Sequence, residues 1–398
     1  MAGLRMNSSK SNIYMASIDE YVKQDILNFT GFTTGALPFR YLGIPIAAKK
    51  LCAADYSDLV NNVNLKVSSW PRNSLSYAGK IELIRSIIQG IDCFWLSILP
   101  IPNCVLHSIQ SICRKFVWPM NHPPIAWSMF CKPHVDGGLG LKYLKAWNHA
   151  LLAKTLWNIH SKKDSLWIRW VNYVYSCFGD VWNWCSKQDD SPLIKNILCI
   201  RDEIIKFDGS TSAAIARLHS WFGTSGGLSR AYDYFVHSKG SWPWKPILAK
   251  SYILPKHRFM LWLFAHSKLM TRDRMPFLSD RRCELCMEED ESVAHLFFKC
   301  RISKLIWDNV RRWLDMRKIV GSRNTVLNAF RNNYKENSAL TKMKITALSA
   351  TVYHVWNLIN RVLFEKEKIN IEAILTKIKI HTYRSVPEAS VILLVTDY

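Results

Sequence analysis

The sequence predicts a mainly α-helical protein with one short N-terminal β-hairpin and a small helical module towards the C-terminus. Three observations carry that prediction. Apolar residues recur at three- and four-residue intervals over much of the chain, the period of one helix face. A strand-like run, FRYLGIPI, stands alone at 39–46. Three cysteines and a histidine crowd into the eighteen residues of CELCMEEDESVAHLFFKC, from 283 to 300. With 398 residues, 49% of them hydrophobic and 12% aromatic, the chain has enough apolar surface for two or three cored domains. That composition excludes a disordered basic tail, which lacks the apolar surface needed to offset chain entropy.

Taken in order, Phe39 to Ile46 mixes Tyr, Ile, Leu and Phe with a Gly and a Pro, as an edge strand or hairpin does. Leu75, Ala78, Ile81, Ile84, Ile87, Ile88 and Ile91 then make a helical stripe, with Lys80 and Arg85 off it. Pro100 and Pro102 break the pattern before a second stripe formed by Val105, Leu106, Ile109, Ile112, Cys113 and Phe116. PHVDGGLGLKYL at 133–144 reads as a turn leading into a third helix through Leu144, Trp147, Leu151, Leu152, Leu156 and Ile159. Between Ser186 and Lys239 the turn clusters DDSP, FDGSTS and FGTSGGLS weaken the pattern, which sets a domain boundary near 178–190 and a linker over 181–240. Ile302, Leu305, Ile306, Val310 and Trp313 mark a helix after Cys300, and a long helix is expected over Ala339–Lys366. The chain beyond 370 reads as a tail. No internal repeat or low-complexity block is visible.

The most specific local signal is the cluster itself. Cys283, Cys286, His295 and Cys300 follow C-x2-C-x8-H-x4-C, which supplies the four ligands of a structural zinc. The two-residue gap lets one tight turn aim two thiolates at an ion about 2.3 Å away. On a continuous α-helix His295 and Cys300, five residues apart, would diverge by about 140°. A break is therefore expected between them, with Cys300 at the start of the next helix, where the backbone N–H groups favour a thiolate. With four protein ligands no coordination position stays open, so the expected Zn2+ is structural, not catalytic. The other eight cysteines are scattered, and no secretory leader is apparent, so reduced thiols and an intracellular site are expected. No apolar run approaches the ~20 residues of a membrane span.

Lys plus Arg number 53 against 31 Asp plus Glu, a formal charge of +22, which points to a polyanionic partner. From Lys245 to Arg282 nine basic residues face two aspartates. The residues chosen for phosphate contact are Lys10, Lys80, Arg85, Lys132, Lys142, Lys145, Arg272, Arg274, Arg281 and Arg282. Any one of them taken singly reads more simply as a solvated charge, so it is the set that points to RNA or DNA. Trp70, Tyr77, Trp242 and Trp244 could stack on bases, but packing is the commoner use of such rings. Gly137, Gly138 and Gly140 lack the Lys-Ser/Thr pair of a phosphate loop and read as a turn.

GLRMNSSKS (3–11), TGFTTGALPFRYLGIPI (30–46), SWPRNSLSYAGKIELIRSII (69–88) and CKPHVDGGLGLKYLKAWNHALLAKTLW (131–157), followed by the Cys/His cluster, together resemble the C-terminal part of the reverse transcriptase of plant LINE-type retrotransposons. The resemblance extends from about residue 3 to about 365, and its specificity lies in the order of the segments. It implies a palm remnant and a primer-grip-like hairpin (Tyr41, Leu42, Gly43) over 1–48, and a helical thumb with its connector over 49–180. A linker over 181–240, a reverse transcriptase zinc-binding domain over 241–370 and a tail over 371–398 complete the expected division. Such polymerases hold two Mg2+ ions on palm aspartates, one set in an aromatic-x-Asp-Asp turn. Here the one Asp-Asp pair, Asp189-Asp190, follows Lys187 and Gln188 in a turn-rich segment. The chain opens shortly before Asn7–Lys10, the segment that resembles the end of the palm, so the fingers and most of the palm are expected to be absent. A ribonuclease H site is not expected either, because few carboxylates follow Glu372. The expected protein therefore binds RNA or DNA without polymerising. The alternatives are a truncated gene model of an active RNA-directed DNA polymerase and a protein-interaction scaffold. Ancestry alone suggests the nucleus.

Overall fold

The computed structural model describes residues 11–386, except 16, 42–43, 48–50, 98, 100, 120–122, 176–178, 238–241, 317–321 and 334–337. Lys10, Leu42, Gly43 and the side chain of Tyr41 therefore lie outside the described residues, as do Asn7 and 387–398. Two small sheets occupy the N-terminal region. β1 (Asn12–Ile13) pairs in parallel with β2 (Thr33–Thr34) around helix α1 (Glu20–Thr30), which stops at Gly31 in the left-handed region. β3 (Phe39–Tyr41) and β4 (Ile44–Ile46) pair antiparallel in the register Phe39↔Ile46 and Tyr41↔Ile44, which forms the hairpin expected at 39–46.

Helices make up nearly all the rest. α2 (Ser57–Ser69) buries Leu59, Val63 and Val67, four residues apart. The Leu75–Ile91 stripe becomes α3 (Tyr77–Leu83), a widened π turn over Ile84–Ile88 and α4 (Gln89–Leu96), with the Ser76 hydroxyl accepting from the Gly79 N–H at its start. α5 (Asn103–Val117), α6 (Trp127–Cys131), α7 (Leu144–His160) and α8 (Leu166–Val174) follow. The stretch 181–240, expected as a linker, holds α9 (Pro192–Asp208), α10 (Thr211–Phe222) and α11 (Gly227–Val236). Its turn residues are helix caps. Ser191 caps α9 just before Pro192, Gly209 ends α9 at φ 83°, and Ser210 caps α10. Next come α12 (Lys245–Leu248), α13 (Pro255–Ala265), α14 (Arg301–Trp313), α15 (Arg323–Asn333) and α16 (Ala339–Glu365). Residues 371–385, expected as tail, form α17 (Ile371–Ser385); Asn370 caps it, and Ile374, Ile378 and Thr382 are buried. Two isoleucines one turn apart give this short helix enough apolar surface to dock on α16.

Packing divides the chain into two compact units, each discontinuous in sequence. One comprises 11–68, Ile91–Ile109 and Asn148–Leu228; Tyr56, Leu59, Val63, Trp95 and the inner faces of α9 and α10 supply core residues. The other comprises Ser69–Gly90, Gln110–Trp147 and 229–386. In it α16 is buried on every side from Ile345 to Val352, as befits a central helix, and it packs against α13, α14 and α17.

Candidate metal centre

The Cys/His cluster is built on a short hairpin followed by a wide helical turn. Arg282 and Asp290 form an isolated antiparallel bridge, and the Cys283 N–H donates to the Glu289 carbonyl at 2.8 Å. Between them the chain folds back tightly, with the N–H groups of Cys286 and Met287 donating to the Cys283 carbonyl. Met287 closes that turn at φ 59°, in the left-handed region. The backbone N–H groups of Leu285 and Cys286 point at the Cys283 sulfur. A π turn, His295–Lys299, supplies the other half. The Cys300 N–H donates to the His295 carbonyl at 2.8 Å, an i→i+5 bond that stacks residue 300 over residue 295. The chain straightens only at Cys300, which is the N-cap of α14. The angular mismatch expected on an α-helix is thus removed by widening the turn before the break.

All four side chains are buried, and their ligand atoms lie within 4.8 Å of one another. Cys286 Sγ is 3.3 Å from His295 Nε2. Ligands 2.3 Å from one tetrahedral ion sit about 3.8 Å apart, so the set fits zinc. His295 Nδ1 donates to Glu289 Oε2 at 3.0 Å, which fixes the ring and leaves Nε2 as the ligand atom. The Cys300 thiol is pulled well below its ordinary value, first by the hydrogen bond from Cys283 and then by the Ser303 and Ile302 N–H groups opening α14, while burial opposes the shift. Cys283, the donor in that hydrogen bond, is pushed up by it and by burial. A bound zinc would displace these protons and supply cross-linking energy; four protein ligands leave it no position for substrate.

Arg272 braces the hairpin from behind. Its guanidinium donates to the Arg282 carbonyl at 2.8 Å and to Glu284 Oε1 at 2.6 Å, and its backbone N–H meets Glu291 Oε1 at 3.3 Å. Glu291 is buried, and burial pushes its carboxyl up to about 7.

The residues picked for phosphate contact separate into two groups. Lys80 is buried, with its ammonium over the rings of Tyr77 and Phe116. Arg272 is buried as described. Arg85 donates to the Leu139 carbonyl and pairs with Glu82, Arg282 pairs with Asp280, and Lys142 lies 3.6 Å from the centre of the Trp147 ring. Lys132, Lys145, Arg274 and Arg281 are exposed, and among the described residues no carboxylate pairs with them. The aromatic candidates pack: Trp70 on Phe116, Tyr77 on Trp118, Trp242 on His266, while Trp244 is buried. The glycine turn also packs, since the Gly137 carbonyl accepts from Trp262 Nε1 and a Cβ on Gly138 would meet the Lys132 carbonyl at 1.9 Å. A second group of potential ligands, His257, His354 and His381, is not signalled by any sequence spacing.

This geometry defines a zinc-binding module, and comparison places it in a class. Residues 228–307 match the family described as zinc-binding in reverse transcriptase, and all four ligands fall inside the match. The chain thus carries a reverse-transcriptase type of zinc-binding domain. Over 129 residues, 31% of its length, it is 26% identical to an Arabidopsis thaliana protein named as a ribonuclease H protein. That alignment covers 21% of the relative, so the chain spans about a fifth of its length. Among the described residues no helix is long and apolar enough to cross a membrane.

Proposed function

We propose that this chain is a retrotransposon-derived nucleic-acid grip, in which a structural zinc holds a basic surface against the phosphates of RNA, DNA or their hybrid. The supporting observation is the contrast around the metal centre. Arg272 is consumed in bracing the hairpin, whereas Arg274 and Arg281 on the same segment stay exposed with no carboxylate paired to them among the described residues. An excess of cations that the protein does not neutralise itself is what a polyanion requires. Lys132 and Lys145 extend the set.

In this reading the chain does not polymerise by itself. Asp190 accepts from the Tyr175 hydroxyl at 2.5 Å and from the Lys187 N–H at 2.7 Å, so it serves a turn. The hairpin at Phe39–Ile46 keeps the proposed primer-grip role, and Zn2+ at Cys283, Cys286, His295 and Cys300 has a structural one.

Fluorescence anisotropy with single-stranded RNA, duplex DNA and a hybrid, over a salt series, tests the reading. Four phosphate contacts give a slope of log K on log salt of about −3 to −4. Replacing Lys132, Lys145, Arg274 and Arg281 by alanine should flatten it. Salt-independent binding, or none at low salt, contradicts the grip. Incorporation of nucleotides with template, primer and Mg2+, or cleavage of the hybrid, contradicts the non-catalytic part.

A further inference from the structure

The second histidine group lies apart from the Cys/His hairpin and is assembled from three helices. His257 stands in the first turn of α13, His354 in α16 and His381 in α17, and one ring nitrogen from each falls within 4.8 Å of the others. We propose that His257, His354 and His381 form a second metal site that takes a borderline divalent transition ion, zinc being the probe of choice.

The decisive observation is His257. It is fully buried, and neither of its ring nitrogens has a hydrogen-bond partner. A neutral imidazole carries one donor and one acceptor, and buried polar groups of this kind are nearly always satisfied. Ring packing accounts for its faces, which lie 4.6 Å from Tyr353 and 4.8 Å from His381 between centroids. It does nothing for the nitrogens at the ring edge. An ion held on one of them gives that nitrogen its partner.

The other two ligands are already at coordinating separation. His354 Nε2 and His381 Nδ1 are 2.9 Å apart, close to the ~3.3 Å between two imidazole nitrogens on one tetrahedral ion. In the metal-free protein the two share one proton-mediated contact; with the ion bound, both present lone pairs to it. Burial disfavours the charged form of all three rings, so they offer lone pairs at neutral pH. An all-imidazole set selects zinc, copper or nickel over magnesium and calcium, which prefer oxygen. The nearby cations Lys256, Lys377, Arg361 and Arg384 repel every dication alike, so the affinity of the site rests on its nitrogen ligands. Only His381 is partly exposed, so the fourth position opens on its side to a water or an anion.

Zinc content of the folded full-length chain, measured after gel filtration, tests the site. Two equivalents per chain are expected, one from the cysteine cluster and one from the histidines. His257→Phe keeps the ring volume without the nitrogens and should fall to one equivalent at unchanged helical circular dichroism; the partly exposed His381→Ala should do the same. Loading with Co2+ separates the two sites even where a variant fails to fold, because the second equivalent should add no thiolate charge-transfer absorption. One zinc per wild-type chain overturns the proposal. So does a folded His257→Phe or His381→Ala that keeps two, or a second Co2+ equivalent with thiolate absorption.

Discussion

Replacing Arg272 by alanine separates a bracing role from a phosphate-binding one. The guanidinium ties the turn Arg272–Arg274 to the Arg282 carbonyl and to Glu284, which lies between the first two metal ligands. Side-chain exposure is 10% for Arg272 and 21% for Glu284, so the pair is largely desolvated. Removing one partner of a buried pair costs about 3–5 kcal/mol, and the residual hydration of Glu284 places this case near 3 kcal/mol. In urea melts followed by far-ultraviolet circular dichroism with zinc present, that is a midpoint drop of about 1 M for an m-value near 3 kcal/mol/M. Exposed Arg274→Ala should stay within about 0.5 kcal/mol of wild type while reducing the salt slope of nucleic-acid binding by about one. An Arg272→Ala protein that melts with the wild type and merely weakens nucleic-acid binding, as Arg274→Ala does, would refute the bracing role.

Two further outcomes follow from the same region of the fold. Glu291 has its folded pKa raised to about 7 from an ordinary 4.5, so the fold favours its protonated form. Its contribution is complete below pH ~4.5 and is lost as the pH rises through ~7; Glu291→Gln should therefore leave stability at pH 4 unchanged and raise it at pH 8 by up to about 3 kcal/mol, and equal pH profiles for the two proteins would refute this. Gly138→Ala places a methyl group 1.9 Å from the Lys132 carbonyl and should cost about 3 kcal/mol, read as a lowered melting temperature; an unchanged one would contradict the close approach.

The elements legible in the sequence were those whose burial is one-sided. The stripes ending at Ile91, Phe116, Ile159 and Trp313 each place their apolar residues on one helix face, and each forms a helix or a chain of helical segments. The three helices of 192–236 were hidden by their own caps: Ser191, Gly209 and Ser210 read as loop because capping and turn formation use the same side-chain chemistry. α17 was hidden because its burial rests on a few residues whose partners lie on α16. At the metal centre the four ligands were legible because they share one short segment, while the inward turn of Lys80 and Arg272 was not. A basic residue off an apolar stripe looks solvated until Tyr77, Phe116 or Glu284 is brought to it from elsewhere in the chain. The histidines of α13, α16 and α17 meet only through tertiary packing, so no spacing announces them.

The widened turn between His295 and Cys300 sets unequal tolerances for insertion and deletion on its two sides. The hairpin loop that carries Glu288 and Glu289 can lengthen or shorten at its tip and still return the chain to His295. Inserting one residue into Leu296–Lys299 would carry the cysteine about 100° further round the helix and off the face that His295 occupies. In this motif the four-residue gap therefore has no room for an addition, and the eight-residue gap has slack only at its tip, before Glu289 is tied to Cys283 and His295.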